Sequence, residues 1–213
     1  MYGYIPDIVK LIVEKQGHTL KVDYLPFARN LAMTRRGDIN GILGMYKSSA
    51  PDFIYSDAPQ GIGEAGYFVW HTTTWRYEGL ESLKKINKVG VVRDYTYSEK
   101  FDRFIKENPE VTHTLSGGDP QQRIISMLRA GRINVYIEDS RSAEYNIMKM
   151  GLQGKVIKVG GFEKKNPVYV AWSPVHEKSQ QYAKMVEDGI KDLRKSGELK
   201  TVLDKYGLSD WVK

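Results

Sequence analysis

One stretch constrains this chain more than any other. Gly131 to Asp139 reads Gly-Arg-Ile-Asn-Val-Tyr-Ile-Glu-Asp. Ile133, Val135 and Ile137 alternate with Asn134, Tyr136 and Glu138, a β-branched, period-two pattern that predicts a strand. Just upstream, Ile124, Ile125, Met127 and Leu128 fall at helical spacing, and Gly131 supplies the stop. Helix, turn, strand, then an acid at the strand's carboxyl end is the order of an open α/β sheet. Ligands of such sheets gather beyond the carboxyl ends of the strands. Asp139 therefore has two readings. It is a carboxylate placed to meet a ligand's ammonium, or it is the cap of a helix starting near Ser140. The same order recurs at Arg35-Arg36-Gly37-Asp38-Ile39-Asn40-Gly41-Ile42-Leu43, which predicts two lobes of similar design.

The totals exclude several classes. With 213 residues, 41% hydrophobic and 27% charged, the chain suits one large domain or two small ones. No apolar run approaches the ~18 residues of a membrane helix, and no basic-then-apolar leader follows Met1. A membrane-spanning protein and a secretion signal are therefore not expected. Zero cysteines remove disulfides, thiolate nucleophiles and thiolate metal sites, which permits an oxidising compartment. The net charge of +6 is spread along the chain, without the long basic block of a nucleic-acid binder. Lys84, Lys85, Lys88, Lys164 and Lys165 read as solvated faces, and the balance suggests a mild preference for anionic partners. His18, His71, His113 and His176 lack metal-ligand spacing. There is no phosphate-loop motif, and Gly61, Gly63 and Gly66 do not form a dinucleotide fingerprint. Neither a metal nor a cofactor is expected.

Taken in order, a helix over the stripe Ile8, Val9, Leu11, Ile12 and Val13 ends at Gly17, with Pro6 and Asp7 in its first turn. Leu20 to Leu25 alternates as a strand, a helix follows from Phe27 to Arg36, and Ile39 to Met45 is a buried strand. Tyr46 to Asp52 is a loop, Gly61 to Gly66 is pliable, and Tyr67 to His71 is a strand. Thr72 to Thr74 reads as one crossover between lobes and Lys164 to Asn166 as the other. Between them the pattern gives strands at Val89 to Val92, Val111 to Leu115, Ile133 to Ile137 and Val156 to Val159. The intervening helices start at Asp94 to Ser98, after Gly117-Gly118-Asp119-Pro120, and near Ser142. Val168 to Trp172 is a further strand, and two helices close the chain before Gly207.

Several motifs now line up. Gly3-Tyr4-Ile5-Pro6-Asp7-Ile8, Gly37-Asp38-Ile39-Asn40-Gly41-Ile42, Tyr55-Ser56-Asp57-Ala58-Pro59, Gly131 to Asp139, and Gly197-Glu198-Leu199 with Leu203, Lys205, Tyr206 and Gly207 occur in sequence. Their order and spacing resemble the type-2 periplasmic solute-binding proteins of family 3, which serve polar amino acid ABC transporters. The resemblance spans nearly the whole chain. Leu25-Pro26-Phe27-Ala28-Arg29 and Val91 to Tyr97 resemble a branch whose ligands are often unassigned.

The resemblance implies an α/β, two-lobed fold, each lobe a mostly parallel sheet flanked by helices, joined by two crossover strands. Residues 1–71 and 167–213 form lobe 1, and 72–166 form lobe 2. A small polar, amino-acid-like or anionic solute lies between the lobes and is trapped by hinge closure. The partner is an ABC transporter permease and the location periplasmic. Two departures bear on function. The family's first strand, which normally lies inside the lobe 1 sheet, is absent, so that gap is either open or filled by another chain, in a monomer or a dimer. The arginine that forks onto a ligand's α-carboxylate is also missing from the loop Tyr46 to Asp52, and Lys47 cannot reproduce a bidentate fork.

The candidate ligand residues are Asp139, for a cationic group, and Thr96, Tyr97 and Ser98, where helix amides and hydroxyls offer an anion seat. Arg29 sits beside Phe27 in a first helical turn that disfavours positive charge. Tyr46 and Lys47 lie beyond a strand's carboxyl end. Their competing readings are capping for the Ser98 region, a surface role for Arg29 and packing for Tyr46. Trp70 and Trp75 read as hinge or core residues. The expected activity is binding without chemistry. Its rivals are the sensing module of a receptor and a cyclohexadienyl-dehydratase-like enzyme, for which Glu138 and Glu64 are the available general acids.

Overall fold

The computed structural model describes residues 3–86, 88–117, 119–162 and 165–212. Gly118 and Lys164, which carry part of an expected turn and part of an expected crossover, lie outside these. In chain order the elements are α1 (Tyr4–Lys15), α2 (Phe27–Arg36), β1 (Gly41–Met45), β2 (Gly61–Gly63), β3 (Ala65–Trp70), β4 (Val89–Val92), α3 (Glu99–Glu107), β5 (Thr112–Leu115), α4 (Pro120–Arg129), β6 (Val135–Asp139), α5 (Ser140–Lys149), β7 (Val156–Gly161), β8 (Asn166–Trp172), α6 (Ser179–Ser196) and α7 (Glu198–Asp204). The chain divides into two compact units, Met1–Ile62 with Asn166–Lys213, and Gly63–Lys165.

The first unit holds a three-stranded sheet, ordered β1-β8-β2. Its core is the apolar stripe of α1, Ile8, Val9 and Ile12, packed with Ala183, Val186 and Ile190 of α6, Leu199 and Leu203 of α7, and Val168 and Val170 of β8. Each Val, Leu or Ile among them contributes about 1.5–3 kcal/mol when fully buried. Gly189 lets α6 come close, because a Cβ there would overlap the β-branched Ile12. The helix α2 stops at Gly37, whose φ of 80° is the left-handed cap position that glycine reaches without strain.

The second unit holds a five-stranded sheet, ordered β5-β4-β6-β3-β7. Period-two alternation splits its apolar residues between two faces. Tyr136 and Phe68 pack with Ile124, Ile125 and Leu128 of α4 and with Ala143 and Ile147 of α5. Val135, Ile137, Tyr67 and Val69 pack with Phe101 and Phe104 of α3. Trp70 leans on the first of these clusters and Trp75 on the second, and the Trp75 indole N–H donates to the Ser82 carbonyl at 3.2 Å.

Three expectations are corrected. The sheets are mixed rather than mostly parallel in each lobe. In the second unit β4 runs parallel to β5 and β6, while β3 runs antiparallel to both β6 and β7. In the first, β1 and β8 are antiparallel. A helical crossover returns the chain in the same direction, as from β4 through α3 to β5, whereas strands joined without one are free to pair antiparallel. Next, Leu20 to Leu25 forms no strand. A strand needs a ladder, and among the described residues this stretch pairs with none. Tyr24 is 73% exposed. Finally, the strand expected at Tyr67 to His71, assigned to lobe 1, is β3, and its ladder partners place it in the second unit.

Candidate functional site

In the second unit β4 and β6 are adjacent and parallel, with Val89 beside Val135 and Gly90 beside Tyr136. Their chains therefore leave the sheet side by side, at Val92 and at Glu138-Asp139. This is where open α/β sheets place ligands.

Asp139 sits at that end, and it is also the cap of α5. One carboxylate oxygen accepts from the Arg141 and Ser142 amides at 3.1 and 3.2 Å, the other from the Glu64 amide at 3.0 Å. The two readings of this residue are compatible, because a carboxylate has about four lone-pair sites and three amides fill only three.

Glu138 is only 5% exposed. One of its oxygens accepts from the Asp139 amide at 2.8 Å. The other has no partner among the described residues, and neither do the buried hydroxyls of Tyr136 and Ser140. Burial pushes the Glu138 carboxyl up to about 8, reinforced by the Asp139 charge and opposed by the Asp139 amide. Burial likewise raises the phenols nearby, Tyr95 to about 12, and Tyr97 and Tyr136 well above the ordinary value. Glu64 is different. Lys158 and Lys165 pair with it at 2.6 and 3.1 Å and hold its carboxyl below the usual range. An ionised, doubly paired carboxylate is a poor proton donor.

The stretch expected to seat an anion takes a form the sequence did not suggest. Residues 94 to 98 are not helical, and α3 begins at Glu99. Asp94 sits at φ 65°, which turns the chain, and the Tyr97 ring is buried with its hydroxyl accepting from the Val92 amide at 2.8 Å. Ser98 is the cap, and its hydroxyl accepts from the Phe101 amide at 3.2 Å. The Tyr97 amide donates to the Asp102 carboxylate at 3.1 Å. Burial raises the Asp102 carboxyl, while the nearby Tyr97 and Ser98 amides oppose the shift. Thr96 is half-buried in the same loop. Tyr97 packs as a core residue, and Asp102, which the sequence did not single out, folds back onto its amide. Its signal was an acid four residues beyond a serine cap, close enough to fold back on the first turn.

In the first unit, Tyr46 and Lys47 follow β1, and Lys47–Ser49 form one short 3-10 turn. The Lys47 ammonium lies 4.6 Å from the Tyr169 ring centre and 5.9 Å from that of Tyr55. Those two rings meet edge to face at 5.9 Å. This is a cation–π arrangement. The Tyr55 hydroxyl donates to the Ala50 carbonyl at 2.9 Å, and burial raises it to about 12. Phe27 packs with Tyr55 against Ile42, Met45, Phe53 and Ala171, while Tyr46 leans on the α1–α6 core. Arg29 is exposed, without an ion pair among the described residues. The cation of α2 that finds a fork is Arg35, at 2.8 and 3.0 Å from Asp52. No group of His, Asp or Glu among the described residues could hold a metal ion.

This fold is that of the amino acid substrate-binding proteins of ABC importers and of related sensor domains. An ancestral arginine-binding protein bound to arginine superposes with a TM-score of 0.79 at 17% identity, covering 96% of this chain and 87% of that one. A histidine kinase sensor domain similar to periplasmic binding proteins gives 0.78 at 18% identity, over 96% and 85%. An amino acid ABC transporter substrate-binding protein from Streptococcus pneumoniae, bound to L-arginine, gives 0.75 at 18% identity, over 96% and 83%. No family model and no curated protein matches the chain. At such identities the likeness establishes the fold, and the solute must be argued from this chain's own residues.

Proposed function

We propose that this chain is an extracytoplasmic solute-binding protein that hands a small polar, amino-acid-like solute to the permease of an ABC-type importer. The shared fold supports the reading. The observation that carries it is the carboxyl end of β6, where Asp139 stands beside the buried carboxyl of Glu138 at the place this architecture reserves for ligands. Asp139 takes the solute's ammonium, with Thr96 and Ser98 beside it. Within the first unit, Tyr46, Lys47, Phe27 and Arg29 are the candidate ligand residues. No helix among the described residues is long and apolar enough to cross a membrane. Binding rather than turnover is favoured because, of the two acids named for an elimination enzyme, Glu64 is neutralised by two lysines and Glu138 is buried. The likeness to a histidine kinase sensor domain favours a second reading, in which the same binding event is reported rather than used for uptake.

The test is calorimetry against amino acids, their amines, dicarboxylates and sugar acids. At least one should bind to wild-type protein and raise its melting temperature by mass action. Asp139→Asn keeps an oxygen for the α5 cap but loses the charge. It should weaken that binding tenfold or more (about 1.4 kcal/mol) in a protein that still folds, with the unliganded melting temperature lowered only by the lost acceptor for the Glu64 amide. An unchanged affinity removes Asp139 from the site, and silence across the whole panel removes the function.

A further inference from the structure

We propose that two copies of this chain join through Leu20 to Tyr24, each stretch pairing with its own copy as an antiparallel ladder centred on Val22. The interface belongs to the first unit and is independent of the solute reading.

The first observation is a strand pattern without a ladder. Thr19, Val22 and Tyr24 are strand-forming types within an alternating stretch. The chain runs from His18 to Pro26 without a turn or bend. Among the described residues, the main chain of Leu20, Lys21, Val22 and Asp23 makes no hydrogen bond to other main chain. An extended segment with unpaired amides and carbonyls is a template for a second strand. Pro26 ends it, because proline has no N–H to add to a ladder.

The second observation is that this stretch is complementary to itself. In a two-fold antiparallel pairing about Val22, residues equally far from the centre stand opposite each other. Lys21 of each copy then faces Asp23 of the other, which gives two matched pairs of opposite charge. Both side chains are exposed, and within one chain the Lys21 ammonium already lies 3.3 Å from the Asp23 carboxylate. Leu20 faces Tyr24, and Val22 faces Val22. In an extended chain Leu20, Val22 and Tyr24 share one side and Lys21 and Asp23 the other. The ladder therefore carries one apolar row and one charged row.

The apolar row also has a surface to rest on. Leu20 packs against the core that α1 makes with α6, whereas Tyr24 is 73% exposed. The pairing sets Tyr24 of each copy beside Leu20 of the other, at the rim of that core. A short two-stranded ladder is marginal alone, so the association is reversible and follows protein concentration.

The experiment is sedimentation equilibrium on the full chain, up to millimolar concentration, with hydrogen exchange followed at residues 20–24. Wild-type protein should pass from monomer to dimer, and the amides of Lys21 to Asp23 should slow as it does. Lys21→Asp and Asp23→Lys each set like charges opposite one another, so each variant alone should dimerise at least fivefold more weakly. Both positions are exposed, so neither change disturbs the fold. Mixed in equal amounts, the two variants oppose acid to base throughout and should recover wild-type association as a heterodimer. Protein that stays monomeric at millimolar concentration overturns the inference. So does a dimer that both single variants leave intact, or a mixture that associates no better than its components. Equal protection of these amides at every concentration would show the stretch covered within its own chain, which also overturns it.

Discussion

Glu138 is a carboxyl group in a place that disfavours charge. Its pKa lies at about 8, raised from 4.5 chiefly by burial. The protonated form is therefore the one the folded state prefers. The resulting stability is fully present below about 4.5 and is lost as pH rises through about 8. The full shift corresponds to a ceiling on the order of 5 kcal/mol. Urea denaturation at pH 5 and pH 9 should show wild-type protein losing about 2–5 kcal/mol more than Glu138→Gln, which is neutral at both. Equal losses would mean that Glu138 reaches solvent. Asp139 was legible in the sequence because it ends an unmistakable strand. Asp102 was not, because its role depends on a carboxylate folding back onto the Tyr97 amide. Periodicity records which face a residue lies on and carries no trace of such a fold-back. The same limit hid the destination of Lys47. Its position beyond β1 followed from the strand pattern, but the two tyrosines under it lie on Tyr55 and Tyr169, far apart in the chain.

Among the elements, α3 is set by a single cap. Ser98→Ala should cost about 1 kcal/mol and raise hydrogen exchange at the Phe101 amide, which the serine hydroxyl accepts. Unaltered exchange there would show that Asp102 holds the turn alone. Close packing of α1 on α6 gives a second prediction. Gly189→Ala pushes a methyl into Ile12, whose β-branched side chain is stiff, and should destabilise the first unit by about 1–3 kcal/mol. A variant as stable as wild type would mean that the two helices can slide apart freely. The helices and most strands were readable, since each buries a clear stripe or alternates. Leu20 to Leu25 alternates just as well yet forms no strand, because a ladder is a property of two segments and alternation a property of one. The onset of α3 was misplaced by several residues for a related reason. Asp94 adopts φ 65°, a conformation aspartate tolerates but does not announce.

At the scale of the whole molecule, the repeated helix–glycine–strand pattern gave two units, and the structure has two. Where the first passage falls was harder to read. The segment containing Tyr67 to Trp70 is apolar enough for either sheet, and only its pairing with β6 and β7 assigns it. The account stands on one claim, that this chain captures a small polar solute and releases it unaltered. Equilibrium dialysis of purified protein against a mixture of polar amines, amino acids and organic acids tests it directly, with both compartments analysed by mass spectrometry. One compound should accumulate on the protein side at one equivalent per chain and be recovered unchanged. No accumulation of any compound, or recovery of one in a chemically altered form, would contradict the account.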